Sequence, residues 1–255
     1  MSAAIEFRNL TFATRQGRIL LDSISLALEE GTTTAILGRS GSGKTTLLRT
    51  VNRLLEPASG DVLVNGASVH AADLIALRRG IGYVIQETGL FPHFTIERNV
   101  GLVLEAEGRP REERIRRSHK LLESVGLAPA AFARRYPHQL SGGQRQRAGL
   151  ARALAAEPKL LLMDEPFGAL DPLTRSEMQE MLRTLQAGLK KTILLVTHDL
   201  DEALYLADRI ALLSDGKLIA SLTPGEFLAS PLPEVESYLS AFHRGAQRTA
   251  YGERV

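Results

Sequence analysis

Residues 34–37, 159–163 and 192–196 are apolar almost without a break, carrying Ala35-Ile36-Leu37, Leu160-Leu161-Leu162-Met163 and Ile193-Leu194-Leu195-Val196. A strand without polar alternation has no face to offer water, so these runs predict strands buried on both faces of a parallel sheet. Residues 5–12 and 24–28 instead alternate apolar and polar, the period of half-buried antiparallel strands. Residues 61–66 read as another, ending at the Asn65-Gly66 turn. From about residue 88 to 150 the pattern is helical. Residues 111–125 set Ile115, Leu121, Leu122 and Val125 amid dense charge, which reads as a solvated helix face. Gly126, Pro129 and Pro137 divide this region into short helices. The last stretch, with Pro224, Pro231 and Pro233, reads as a short polar tail. The expected layout is one α/β domain over residues 1–255. Residues 1–87 and 151–225 supply a parallel-sheet core and an antiparallel β subdomain, 88–150 a helical subdomain, and 226–255 the tail.

All three buried strands end in polar residues: Gly38 onward, Asp164-Glu165, and Thr197-His198-Asp199. Ligands of open α/β sheets sit outside the carboxyl ends of the strands, so three chain segments deliver chemistry to one edge. The first is Gly38-Arg39-Ser40-Gly41-Ser42-Gly43-Lys44-Thr45, a G-x-x-x-x-G-K-T phosphate loop between a strand and the helix of residues 46–51, which Thr46 opens. Its glycines let backbone N–H groups wrap an anion, and the helix N-terminus adds roughly half a positive charge. Lys44 reaches β- and γ-phosphates and the Thr45 hydroxyl can ligate Mg²⁺. No tandem repeat of the loop occurs, which gives one nucleotide site per chain. At the second strand end, Asp164 can hold the Mg²⁺ shell, and Glu165 can orient or deprotonate a water. Before it lies Leu140-Ser141-Gly142-Gly143-Gln144. Ser141 suits the N-cap of the helix over residues 144–154, and the glycines bare N–H groups for a second anion site.

Composition narrows the class. The chain is 44% hydrophobic and 24% charged with a net charge of +2, an ordinary globular balance without a basic stripe to track nucleic acid. There is no cysteine, so disulfides and thiolate metal sites are excluded. Residues 1–6 show neither a basic nor an apolar leader segment, so no secretory signal is expected. No apolar run approaches the roughly 20 residues of a membrane span, so any membrane role has to come through a partner.

The phosphate loop, L-S-G-G-Q and the later Asp164-Glu165-Pro166-Phe167-Gly168-Ala169-Leu170-Asp171 together resemble the ATP-binding subunits of ABC transporters over nearly the whole chain. The resemblance implies an ABC-type P-loop NTPase core with a helical signature subdomain, ATP and Mg²⁺ as ligands, and ATP hydrolysis. It implies a head-to-tail dimer in which Ser141, Gly142, Gly143 and Gln144 of one copy close on the nucleotide held by the other, with Ser141 and Gly143 at its γ-phosphate. Gln86 looks like the glutamine that touches Mg²⁺ and the attacking water. Glu165 matches the catalytic base, His198 the switch histidine at the γ-phosphate, and Asp171 the aspartate that crosses the dimer interface. One position departs from the pattern: Thr14 stands where an adenine-stacking aromatic is usual, with Phe12 two residues earlier. Either Phe12 substitutes or adenine is held loosely.

Gly89-Leu90-Phe91-Pro92-His93-Phe94-Thr95 looks like importers that work with an external binding protein. Phe91 and Phe94 either line a groove for a membrane subunit or pack internally. Residues 52–57 and 77–86, above all Gly82-Tyr83-Val84-Ile85-Gln86, are similar to importers of glycine betaine, choline and related osmoprotectants. The implied partners are a second ATPase subunit, transmembrane permease subunits and, indirectly, an extracytoplasmic solute-binding protein. The implied place is peripheral, on the cytoplasmic face of the bacterial inner membrane. The same machinery importing amino acids or another small solute is the alternative. A soluble ABC ATPase acting on nucleic acid or an assembly machine is a third reading, disfavoured because the chain shows neither a second ATPase core nor a long coiled coil. With residue 255 last, a tandem regulatory module after the core is not expected.

Overall fold

The computed structural model describes residues 3–86 and 89–252. Two sheets organise it. The first is antiparallel, with strands β1 (Ala3–Ala13), β2 (Ile19–Glu29), β4 (Ser59–Val64) and β5 (Ala67–Ser68) in the order β2-β1-β4-β5. The second holds β3 (Thr33–Leu37), β6 (Ile81–Val84), β7 (Leu160–Asp164), β8 (Thr192–Thr197), β9 (Arg209–Ser214) and β10 (Lys217–Leu222) in the order β10-β9-β3-β8-β7-β6. Every pairing in it is parallel except the hairpin β9–β10. All residues of β3, β7 and β8 are buried, as their unbroken apolar runs require.

Register carries the chemistry to one edge. Leu37 pairs with Thr197, and Asp164 pairs with Val196, so the carboxyl ends of β3, β7 and β8 finish level. Gly38, Glu165 and His198 each follow such an end. The helix after the phosphate loop is α1 (Lys44–Val51), and α2 (Leu74–Arg79) leads into β6. Between β6 and β7 lie α3 (Ile96–Ala106), α4 (Arg111–Ser124), α5 (Pro129–Phe132), a single 3₁₀ turn at Pro137–Gln139, and α6 (Gly142–Ala153). Leu121, Leu122, Val125 and Leu127 of this region share one core with Met163 and Leu195 of the sheet. That shared core fixes the helices to the sheet, at about 25 cal/mol per Å² of apolar surface withdrawn from water.

After β7 come α7 (Pro172–Leu189) and, after β8, α8 (Leu200–Leu206). The stretch expected as a polar tail differs. It contains α9 (Pro224–Leu228) and α10 (Pro233–Gly252), with Phe227 and Val235 fully buried against Ala35, Leu37 and Leu212. Val235, Tyr238, Leu239 and Phe242 recur at helical spacing, a period that the flanking prolines obscure. Among the described residues no helix is long and apolar enough to cross a membrane.

Candidate functional site

The phosphate loop wraps the N-terminus of α1. Gly43 is its N-cap at φ +101°, and a Cβ there would lie 2.7 Å from Leu21 Cδ2 and 2.8 Å from Leu20 O. Only glycine satisfies both the backbone angle and that approach of β2. Lys44 is 4% exposed, and its Nζ donates to Gly38 O at 2.8 Å and Arg39 O at 3.0 Å, so the ammonium is held across the loop. Burial lowers its pKa, while the charges of Glu165 and Asp164 act to raise it. Arg39, Ser40 and Gly41 stand exposed at the crest, whereas Ser42 is buried beneath; Thr45 and Thr46 are partly buried on the first turn of α1.

At the end of β7, Asp164 is 5% exposed and divides its two oxygens. Oδ1 accepts from Thr45 Oγ1 at 2.7 Å, and Oδ2 lies 3.8 Å from Arg49 Nη2. Arg49, which the motif reading did not single out, faces this carboxylate from the last turn of α1 and also contacts the half-buried Tyr83, whose hydroxyl burial holds above its usual pKa. Its signal in the sequence is only the spacing of one helical turn from Thr45.

Glu165 is the hub. Its Oε2 accepts from Gln86 Nε2 at 3.3 Å and lies 3.2 Å from His198 Nδ1. Three sequence-distant side chains from the ends of β6, β7 and β8 thus meet at one carboxylate oxygen. Glu165 sits at φ +45°, a left-handed conformation costing a non-glycine residue roughly 1–2 kcal/mol. Its N–H donates to Val196 O at 3.0 Å and its carbonyl accepts from Gly168 N at 3.3 Å, which hold the turn in that shape.

Ser141 caps α6 as expected. Its Oγ accepts from Gln144 N at 3.2 Å, and Gln144 Oε1 accepts from Ser141 N at 3.0 Å, a reciprocal capping box. Gly142 opens the helix with open space around it, while a Cβ on Gly143 would lie 2.3 Å from Thr174 Cγ2 of α7. Asp171 caps α7, its Oδ1 accepting from Thr174 N at 3.1 Å, and the Thr174 contacts hold its carboxyl below the ordinary range. Among the described residues no hydrogen bond or ion pair joins residues 141–144 to Lys44, Asp164, Glu165 or His198.

Two further expectations meet the structure here. Thr14 is taken up in the β1–β2 turn, where its Oγ1 accepts from Arg18 N at 3.2 Å. Phe12 packs partly buried on the core of both sheets, and that packing competes with the stacking role considered for it. Phe91 is 42% exposed beside His93 and Phe94. The loop carrying them is pinned by the fully buried Asn99, which accepts from Phe91 N at 2.7 Å and donates to Phe91 O, Phe94 O and Thr95 O at 3.0–3.1 Å. Asn99 was not legible as structural, since in sequence it is one polar residue on a helix.

Thr45 Oγ1 and Asp164 Oδ1 lie within hydrogen-bond distance of each other and, like the amide oxygen of Gln86, are hard oxygen donors of the kind that Mg²⁺ takes. Residues 21–168 match the ABC transporter family. The chain is 50% identical over 224 residues to the glycine betaine/carnitine/choline transport ATP-binding protein OpuCA of Bacillus subtilis (strain 168), covering 88% of this chain and 59% of that protein. It is 46% identical to the osmoprotectant import ATP-binding protein OsmV of Salmonella typhimurium (strain LT2), covering 90% of this chain and 61% of that protein. The chain thus spans about three fifths of the length of these curated relatives. The structure of the ATP-binding cassette MJ0796 as a post-hydrolysis dimer with ADP and Pi superposes with a TM-score of 0.78 at 34% identity, covering 86% of this chain and 98% of that one.

Proposed function

The chain belongs to the ABC transporter family, and from that premise we propose that it is the ATP-hydrolysing subunit of a binding-protein-dependent importer of osmoprotectants such as glycine betaine or choline. The observation that carries the catalytic part is the meeting of Gln86 and His198 on one oxygen of Glu165, beside the Thr45–Asp164 pair. In this reading the N–H groups of residues 38–46 and Lys44 hold the triphosphate of ATP. Thr45, Asp164 and Gln86 would hold Mg²⁺, which when bound offsets phosphate charge. Glu165 takes a proton from the attacking water, Gln86 orients that water, and His198 donates to the γ-phosphate. Ser141, Gly142, Gly143 and Gln144 act on the ATP of a second, head-to-tail copy, and Asp171 faces that copy. The glycine-opened end of α6 supports this assignment, because Ser141 caps it and Gly142 has open space around it.

The aromatic cluster of Phe91, His93 and Phe94 is where transmembrane permease subunits dock, which puts the chain peripherally on the cytoplasmic face of the membrane. The exposed Phe91 on a loop fixed by Asn99 supports this. The osmoprotectant assignment is supported by the relatives named above and by residues 82–86. Glu165→Gln keeps the left-handed turn and the size of the side chain but removes the base. It is expected to leave ATP binding intact and to cut hydrolysis by about 10²–10⁴-fold. Near-normal turnover in that variant removes the role given to Glu165. In membranes reconstituted with permease and binding protein, glycine betaine or choline should stimulate ATP hydrolysis, and stimulation by an amino acid instead would reassign the cargo.

A further inference from the structure

Asp171 and Asp199 cap two different helices, α7 and α8, and a single guanidinium joins the segments that carry them. Arg175, on α7, donates from Nη2 to Leu170 O at 3.3 Å and from Nη1 to Asp199 Oδ2 at 3.4 Å. Its Nε is buried, has no hydrogen-bond partner among the described residues, and lies 3.9 Å from Glu202 Oε1. Glu202 is itself 3% exposed and accepts from Thr197 Oγ1 at 2.5 Å. Thr197 Oγ1 in turn accepts from Asp199 N at 3.0 Å. Asp199 uses its other oxygen, Oδ1, to cap α8 through Asp201 N at 2.8 Å. One side of this cluster is Leu170, next to Asp171; the other is the turn 197–199, whose middle residue is His198.

We propose that Arg175 is a positioning residue that locks the 167–171 segment to the His198 turn, so that the partner-facing aspartate and the phosphate-facing histidine shift as one unit. The proposal rests on the roles given above to Asp171 and His198. The physical ground is the geometry of the fork. A guanidinium fixes two acceptors in one plane, here a backbone carbonyl from one loop and a carboxylate from the other, whereas an ammonium acts as a point charge. Burial of Glu202 sharpens the dependence, because a buried carboxylate stripped of its cation is costly to keep ionised. Lysine at 175 keeps charge near Asp199 and Glu202 but cannot hold Leu170 O at the same time.

The test uses the full chain with Arg175→Met, Arg175→Lys and Asp199→Asn; asparagine retains the α8 cap and removes the charge. Hydrogen exchange reads the link directly. In Arg175→Met the amides of residues 167–171 and 198–203 should exchange about tenfold faster together, with the rest of the sheet edge unchanged. In turnover, kcat should fall about tenfold or more while KM for ATP stays within about threefold, with Arg175→Lys in between. The double variant Arg175→Met/Asp199→Asn should be no worse than the poorer single variant. Loosening of only one segment overturns the proposal, as does full kcat in Arg175→Met. If the unsubstituted chain does not hydrolyse ATP, the functional reading fails, and the exchange experiment still decides the link. If Arg175→Met does not fold, Arg175→Lys carries the same two readouts.

Discussion

Gly143 shows how one residue serves packing and chemistry at once. The proposed role at a partner's phosphate asks for a bare N–H, but the chain already forbids a methyl group there, with Thr174 Cγ2 2.3 Å from where a Cβ would lie. Gly143→Ala should therefore destabilise the fold by about 1–3 kcal/mol in urea unfolding. Adding Thr174→Ser removes the clashing methyl and should restore most of that loss. No recovery would mean that the contact is not what limits alanine. Glu202 makes a second case. Burial raises its carboxyl pKa, the hydrogen bond from Thr197 opposing. The folded chain thus keeps this proton to higher pH than the unfolded chain does. Glu202 contributes stability when protonated, and that stability is lost as pH rises through its folded pKa. Glu202→Gln escapes the loss, so its stability relative to the unsubstituted chain should improve as pH rises above the ordinary carboxylate range in denaturant titrations. A pH-independent difference contradicts this account.

At the scale of elements, caps and periods explain why segments end where their chemistry begins. Asp171 with Pro172, Asp199, Ser141 and Thr95 each start a helix by accepting a backbone N–H, and three of these four caps belong to the candidate site or border it. Helix α9 is capped too, Thr223 Oγ1 accepting from Glu226 N at 3.3 Å, but the prolines at 224, 231 and 233 hide the starts of α9 and α10 in the sequence, and what anchors them is apolar. Phe227 is fully buried beneath β3 and β9, strands that flank the phosphate loop. Phe227→Ala should cost about 3–5 kcal/mol, read as a lowered urea midpoint with an unchanged slope. A cost under about 1 kcal/mol would return residues 224–242 to the status of a loosely attached tail.

For the whole molecule, the decisive fact is that the carboxylate edge and the capped end of α6 are both formed, yet among the described residues no hydrogen bond or ion pair joins them. If a second copy joins them, specific activity should rise steeply with protein concentration and plateau once dimers dominate. Specific activity that stays constant down to concentrations where light scattering reports only monomers would refute the two-copy site. The level carboxyl ends of β3, β7 and β8 make such closure economical, since one rigid edge presents Lys44, Asp164, Glu165 and His198 together.

The amino-acid order alone determined the buried strands, the phosphate loop, the cap at Ser141 and the acidic pair, because each is a local property of period, glycine or capping chemistry. It also pointed to Gln86 and His198, though only through resemblance, since a lone glutamine or histidine has no local signature. Tertiary structure alone decided that both reach the same oxygen of Glu165 and that Asn99 pins the aromatic loop. It also decided that Arg175 spans two loops and that the last helices join the core. These are contacts between residues far apart in the chain, set by sheet register and helix packing, and no window of neighbouring residues encodes them.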